Sequence, residues 1–311
     1  MKAIVKTKSG SADHLKLQEV DRPVPKDNEI LVRVHTATVT IGDVKLRDLN
    51  PFFKLMMVIF GYPNMRIPGI EMAGEVEAVG AGVSKFKVGD QVFGTTTGMA
   101  HGANAEYVCV PEEWKHGVVV KKPESLTYEE VAPLSVGAMT ALQLLRKAGI
   151  QKGHDVLVYG ASGSVGTYAV QLAKVHWDAR VTGVCSTGNL ELVRSLGADR
   201  VVDYTGEDYT KGDARYDVIF DAVNKVPRSK RKAALKAGGT FQSVFTPTTE
   251  ETEDMALLGE LAEAGKLRAA IDKRYPLEQV PEAHRYVEKG HKKGNVVITI
   301  DHDQMPRTRP Q

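Results

Sequence analysis

The run Asp155-Val156-Leu157-Val158-Tyr159 followed by Gly160-Ala161-Ser162-Gly163-Ser164-Val165-Gly166 restricts the fold more than any other feature. Its apolar, β-prone first part predicts a buried strand. The glycines predict a sharp turn, and Ser164 to about His176 has helical spacing. A glycine motif carries meaning only in this strand-to-helix context. Gly163 lets the backbone approach a pyrophosphate, Gly166 lets the helix pack on the strand, and the helix's first N–H groups face negative charge. Ala161 stands where the usual fingerprint has its first glycine. The turn therefore predicts a dinucleotide, contacted by Gly160, Ala161, Ser162, Gly163, Ser164 and Val165.

The next strand, Arg180 to Val184, predicts which dinucleotide. NAD-binding versions carry an acid about 20 residues beyond the motif, on the ribose hydroxyls. Here the strand runs into Cys185-Ser186-Thr187-Gly188-Asn189, with no carboxylate to repel a 2′-phosphate. Ser186, Thr187, Asn189 and Tyr204 can donate to that phosphate, although the turn holds no arginine or lysine. NADPH is the expected cofactor.

Around this unit the chain has two textures. From Met1 to about Pro123, short strand-like runs such as Glu29 to Val34, Gly74 to Val79 and Glu106 to Val110 predict a mostly β domain. Helical spacing then runs from Tyr128 to Lys147. Strands are expected at Arg200 to Val202, Val218 to Asp221 and Thr240 to Phe245, and helices near Leu190 to Leu196, Arg228 to Lys236 and Glu253 to Ala264. The fold class is α/β: a doubly wound parallel sheet over 125–265, and a mostly β domain from 1–124 and 266–311. The last strand, Asn295 to Ile300, is expected to rejoin the first domain, and Met305 to Gln311 to form a frayed tail.

Bulk properties narrow the function. With 311 residues, two domains are expected, and 41 basic against 39 acidic residues, without a basic stripe, argue against nucleic acid. The longest apolar run, Leu55 to Phe60, is far short of the ~20 residues that cross a bilayer, and reads as a covering loop or short helix. Cys109 and Cys185 are the only cysteines, and no signal-like run opens the chain; both point to the cytoplasm.

Taken together, Gly69-Ile70-Glu71-Met72-Ala73-Gly74-Glu75-Val76-Glu77-Ala78-Val79-Gly80, Phe86 to Gly94, Ala105 to Val108, the glycine turn and Gly290 to Val297 resemble the zinc-free quinone-reductase branch of the medium-chain dehydrogenase/reductase superfamily. The resemblance implies a GroES-like catalytic domain joined to a Rossmann domain, with the active site in the cleft between them. Zinc members have a cysteine where Thr40 stands and a histidine where Ile70 stands, so no zinc is expected. By position Thr40 lies near the nicotinamide as a cofactor and catalytic contact; a hydroxyl is a poor acid at neutral pH, so water, Tyr62 or His101 is the expected proton source, and Asp43 fixes the loop. Thr140, Val223, Ser243, Val244, Phe245 and Asn295 fall at cofactor-contacting positions. The apolar stretch Phe52 to Phe60 either roofs the substrate or covers the β domain.

One departure concerns assembly. The family pattern adds a sixth strand whose edge pairs with its twin, whereas Phe245 here leads through polar, acidic Thr246 to Glu253 straight into a helix-like segment. A monomer or nonstandard dimer is expected. The leading functional expectation is hydride transfer to a small apolar electrophile, a quinone or an α,β-unsaturated carbonyl, which needs little acid catalysis. The alternatives are an alcohol dehydrogenase and a nonenzymatic NADPH-binding sensor.

Overall fold

The computed structural model describes residues 1–211 and 215–302, so the tail from Met305 to Gln311 lies outside the described residues. The chain opens with the antiparallel pair β1 (Lys2–Lys6) and β2 (Leu15–Glu19). It continues through β3 (Glu29–Thr38), helices α1 (Ile41–Arg47) and α2 (Pro51–Ile59), β4 (Glu71–Val79), β5 (Gln91–Thr95), β6 (Tyr107–Pro111) and β7 (Val119–Lys121). Strands β3 and β4 pair antiparallel at the centre of this sheet, and their inward residues Val32, Val34, Met72 and Val76 are fully buried. That burial is the reason the alternation was legible.

The parallel layer follows: α3 (Tyr128–Val131), α4 (Gly137–Lys147), β8 (Asp155–Tyr159), α5 (Ser164–Val175), β9 (Arg180–Cys185), α6 (Leu190–Ser195), β10 (Arg200–Asp203), β11 (Tyr216–Asp221), α7 (Arg228–Ala234) and β12 (Leu235–Ser243). The sheet order is β10-β9-β8-β11-β12, all parallel, with the order reversing beside β8 where the glycine turn begins. A crevice at the carboxyl ends of the strands is the physical consequence. The expected helix from Tyr128 to Lys147 is broken into α3, a 3₁₀ turn Ala132–Leu134 and α4. Pro133 lacks an N–H and cannot continue the ladder, a constraint that outweighs the apolar spacing.

After β12, no strand precedes α8 (Thr252–Glu263) among the described residues, so β12 forms one edge of the parallel sheet. The segment between them is tied to α4 instead. Lys147 donates to the Pro247 carbonyl, the Gln143 side-chain Oε1 accepts from Thr249 N at 3.0 Å, and Asp254 accepts from Gln143 and Arg146. The chain then forms β13 (Ile271–Pro276), α9 (Val280–Glu288) and β14 (Asn295–Thr299). Strand β14 pairs antiparallel with β3, which returns the chain to the first sheet, while β13, not expected from the sequence, extends that sheet in parallel with β14.

Candidate active site

The glycine turn is held by β9. Gly160 N and Ala161 N both donate to the Val184 carbonyl at 3.0 Å, and Gly160 adopts φ +77°, a conformation suited to glycine. A methyl group on Gly166 would lie 2.1 Å from the Gly160 carbonyl oxygen, so α5 can start this close to the strand only without a side chain there. No side chain caps α5 at Gly163, and its first-turn N–H groups remain for an anion. Ala161 is buried and lies beside Gly183, where the glycine leaves room for it.

The residues expected to hold the adenosine end cluster around this turn. Asn189 Nδ2 donates to the hydroxyls of Ser162 and Ser186, at 3.0 and 3.1 Å, while its Oδ1 is buried without a partner. Thr187 donates to Asp203 Oδ2 at 2.5 Å, and Tyr204 presents a ring 53% exposed. Two participants escaped the sequence reading. Asp203 brings a carboxylate to the turn from the end of β10, held below the usual range chiefly by the hydroxyls of Thr187 and Thr205. Lys293 brings a cation from the C-terminal return, donating to the Gly188 carbonyl at 3.1 Å. Neither lies in the turn's own sequence, so no local motif announces them.

Val223 packs over Gly160 yet is 40% exposed, and Phe245 is 65% exposed. Ser243 donates to the Asn224 side-chain oxygen at 2.9 Å and accepts from Phe245 N at 3.3 Å, and Val244 N bonds the Asp221 carbonyl, fixing the chain beyond β12. Thr140 is partly buried on α4. An orphaned acceptor at Asn189, open space at Gly188, room at Gly163 with only the Gly160 carbonyl oxygen near, and the uncovered Val223 and Phe245 fit a dinucleotide. Asn295 differs. Its side chain accepts from Ser164 Oγ at 2.6 Å and donates to Tyr168 Oη and the Ala270 carbonyl at 3.1 Å, so it stitches the C-terminal return to α5.

Across the crevice, Thr40 caps α1. Its hydroxyl donates to Asp43 Oδ2 at 2.7 Å and accepts from Asp43 N at 3.1 Å, while Asp43 Oδ1 accepts from Gly69 N. Asp43 is thus a buried loop anchor, its carboxyl pushed up by desolvation against these bonds. A methyl group built on Gly42 would meet Thr40 Oγ1 at 3.2 Å and Ile70 Cδ1 at 3.4 Å, which puts Ile70 beside Thr40. Ile70 in turn lines a cavity of about 110 Å³ with Tyr62, Met57 and Thr97. Tyr62 rests against His116, with ring centroids 4.3 Å apart. His101 is exposed and bridges Ile67 outside this lining.

Two buried acids join the two halves, with a buried lysine near them. Glu71 is buried; it accepts from Thr38 Oγ1 at 2.5 Å and from Val136 N, just before α4, at 2.8 Å. Desolvation pushes its carboxyl up to about 7 despite these bonds. Glu250, from the segment after β12, accepts from the Thr95 hydroxyl, and burial raises it to about 7 as well. Lys292 donates to the Gly294 carbonyl and is pushed down to about 8 by burial, with Glu71 and Asp272 opposing. Nothing local distinguished Glu71, which shares its alternation with Glu75 and Glu77 of the same strand, or Glu250 within its acidic loop. Among the described residues, no group of three His, Cys, Asp or Glu side chains could hold a metal ion.

Comparison with known proteins accords with this geometry. Residues 26–124 match the alcohol dehydrogenase GroES-like domain, and residues 226–298 match the family described as zinc-binding dehydrogenase. The chain is 34% identical to a 2-methylene-furan-3-one reductase of Solanum lycopersicum, over 96% of this chain and 79% of that protein. It is 32% identical, with the same coverage, to a chloroplastic NADPH-dependent alkenal/one oxidoreductase of Arabidopsis thaliana. The solved quinone oxidoreductase of Coxiella burnetii superposes with a TM-score of 0.83 at 27% identity, covering 97% of this chain and 99% of that one. The chain therefore belongs to the medium-chain dehydrogenase/reductase superfamily, in its quinone-oxidoreductase-like branch, and is an oxidoreductase with a GroES-like and a Rossmann domain.

Proposed function

We propose that the protein reduces a quinone or an α,β-unsaturated carbonyl with NADPH, without zinc. The carrying observation is the crevice at the carboxyl ends of the parallel strands, where α5 starts without a side-chain cap and Val223, over Gly160, is uncovered. Bound along that crevice, the dinucleotide supplies a hydride. The chain's own residues then bind, orient and exclude water: the α5 N-terminus faces the pyrophosphate, and Val223, Val244 and Phe245 flank the nicotinamide. Thr40 has its hydroxyl proton on Asp43, so it orients rather than donates. Tyr62, on the cavity wall, would hydrogen-bond a substrate oxygen. Relatives named as reducing alkenals, enones and quinones support this substrate class.

Preference for NADPH rests on the Ser186 hydroxyl and on Tyr204, with Lys293 as the cation that the turn itself lacks; Asn189 donates its amide hydrogens to Ser162 and Ser186, and Thr187 is taken by Asp203, the carboxylate that the sequence did not lead one to expect here. Zinc independence rests on side-chain chemistry, because Thr40 and Ile70 offer neither thiolate nor imidazole. Two unpaired cysteines, Cys109 and Cys185, support a reducing compartment such as the cytoplasm. The test is NADPH and NADH oxidation by metal-analysed protein with a panel of quinones and enones. Saturable turnover favouring NADPH without bound zinc is expected. Stoichiometric zinc with alcohol oxidation would replace this reading by an alcohol dehydrogenase, and tight NADPH binding without turnover by a sensor.

A further inference from the structure

The cavity lined by Ile70, the neighbour of Thr40, carries charge that reduction of a neutral acceptor leaves unused. Much of its wall is apolar, including Leu46, Leu49, Met57 and Met65, as an electrophile with a hydrocarbon body requires. The same wall also holds Lys6 of β1 and Lys54 of α2. Among the described residues neither ammonium has a carboxylate within ion-pair distance. Lys6 Nζ reaches only Asn64 Oδ1, at 3.5 Å, and Lys54 Nζ donates to the Ser9 hydroxyl. Both side chains are partly buried. Desolvation, and then the charge on Lys54, hold the Lys6 ammonium below the usual lysine range. Two like charges in a shared, partly desolvated wall repel each other, and a bound anion would relieve both that repulsion and the missing solvation.

We propose that Lys6 and Lys54 receive an anionic group, a carboxylate or a phosphate, at one end of the substrate. The acceptor is then amphipathic: an electrophilic enone or quinone, a short apolar body, and an acid tail. This rests on the reductase reading and refines it. The two lysines bind and orient; they take no part in bond making.

The experiment compares kcat/KM for a matched set of enones with one carbon skeleton, ending in a carboxylate, its methyl ester or a phosphate. The wild-type protein is expected to favour an anionic member over the ester on the order of tenfold, chiefly through KM. The better of the two anions identifies the group. Lys54→Glu is expected to bring the ratio of acid to ester to one or below, whereas Lys54→Arg retains the preference. NADPH affinity, measured on each variant, checks that the crevice is intact. Equal efficiency for acid and ester in the wild type, or an equal loss for both in Lys54→Glu, would overturn the proposal. Turnover of the ester alone would leave the reductase reading standing while removing this refinement, and turnover of none would remove both.

Discussion

At the scale of single residues, the groups that matter most are those whose charge has been moved away from its ordinary environment. Lys293 is the clearest case on the cofactor side. Its ammonium sits on the Gly188 carbonyl, within the loop that follows β9. Lys293→Met is expected to weaken NADPH binding on the order of tenfold while leaving NADH within about twofold, measured by fluorescence titration. Equal losses for both cofactors would assign Lys293 a purely structural role. Glu71 is the corresponding case for stability. Its folded-state value near 7 lies above the ordinary 4.5, so between those values the unfolded chain gives up its proton first. The native state therefore loses stability as pH rises through that window, and the loss is complete above about 7. Its full extent is on the order of 3 kcal/mol. Glu71→Gln keeps an acceptor for Val136 N and can exchange roles with the Thr38 hydroxyl. Urea melts at pH 5 and pH 8 are expected to show the variant gaining on the wild type as pH rises; parallel behaviour would contradict this account.

At the scale of elements, α2 shows how far an apolar run can mislead. Phe52 to Phe60 reads as a roof over the substrate or a cluster covering the β domain, and the helix it forms has no buried residue. Lys54 and Met57 face the cavity, whereas Phe52, Phe53, Leu55, Val58, Ile59 and Phe60 are each more than half exposed. Burial energy cannot be lost where burial is absent, so Phe53→Gln or Ile59→Gln is expected to change unfolding free energy by less than about 0.5 kcal/mol. A change above about 2 kcal/mol in thermal or urea melts would place these side chains in a packed interior. The split of α3 from α4 teaches the opposite lesson. The apolar spacing was continuous through Ala132–Leu134, yet one proline without an N–H decided the geometry. Strands β3 and β4, sandwiched over much of their length, were legible where they alternate, at Val32 to His35 and Glu75 to Glu77, because there burial shares the period of the side chains.

At the scale of the molecule, the crevice exists because two sheets are tied together by contacts far apart in the chain. Gly294 N donates to the Ser162 carbonyl at 2.7 Å, Asn295 bonds Ser164 and Tyr168, and Glu71 bonds Val136 N. The segment where the family pattern has a sixth strand runs instead along α4 and delivers Glu250 to Thr95. Light scattering is therefore expected to show a monomer, or a dimer whose interface excludes β12; a dimer lost on placing proline at Thr240 of that edge would refute this. The sequence by itself determined the parallel βαβ unit, the glycine turn and the order of most elements, though not β13 or the break before α4, because each depends on neighbours within a few residues and on side-chain periodicity. It also named Thr40, Ser162, Asn189 and Tyr62 by local pattern or family resemblance. Only the tertiary structure decided that Lys293 and Asp203 reach the turn after β9, that Glu71 and Glu250 bridge the halves, and that Lys6 and Lys54 share one cavity. Those meetings depend on separations of tens to hundreds of residues, and no local spacing encodes them.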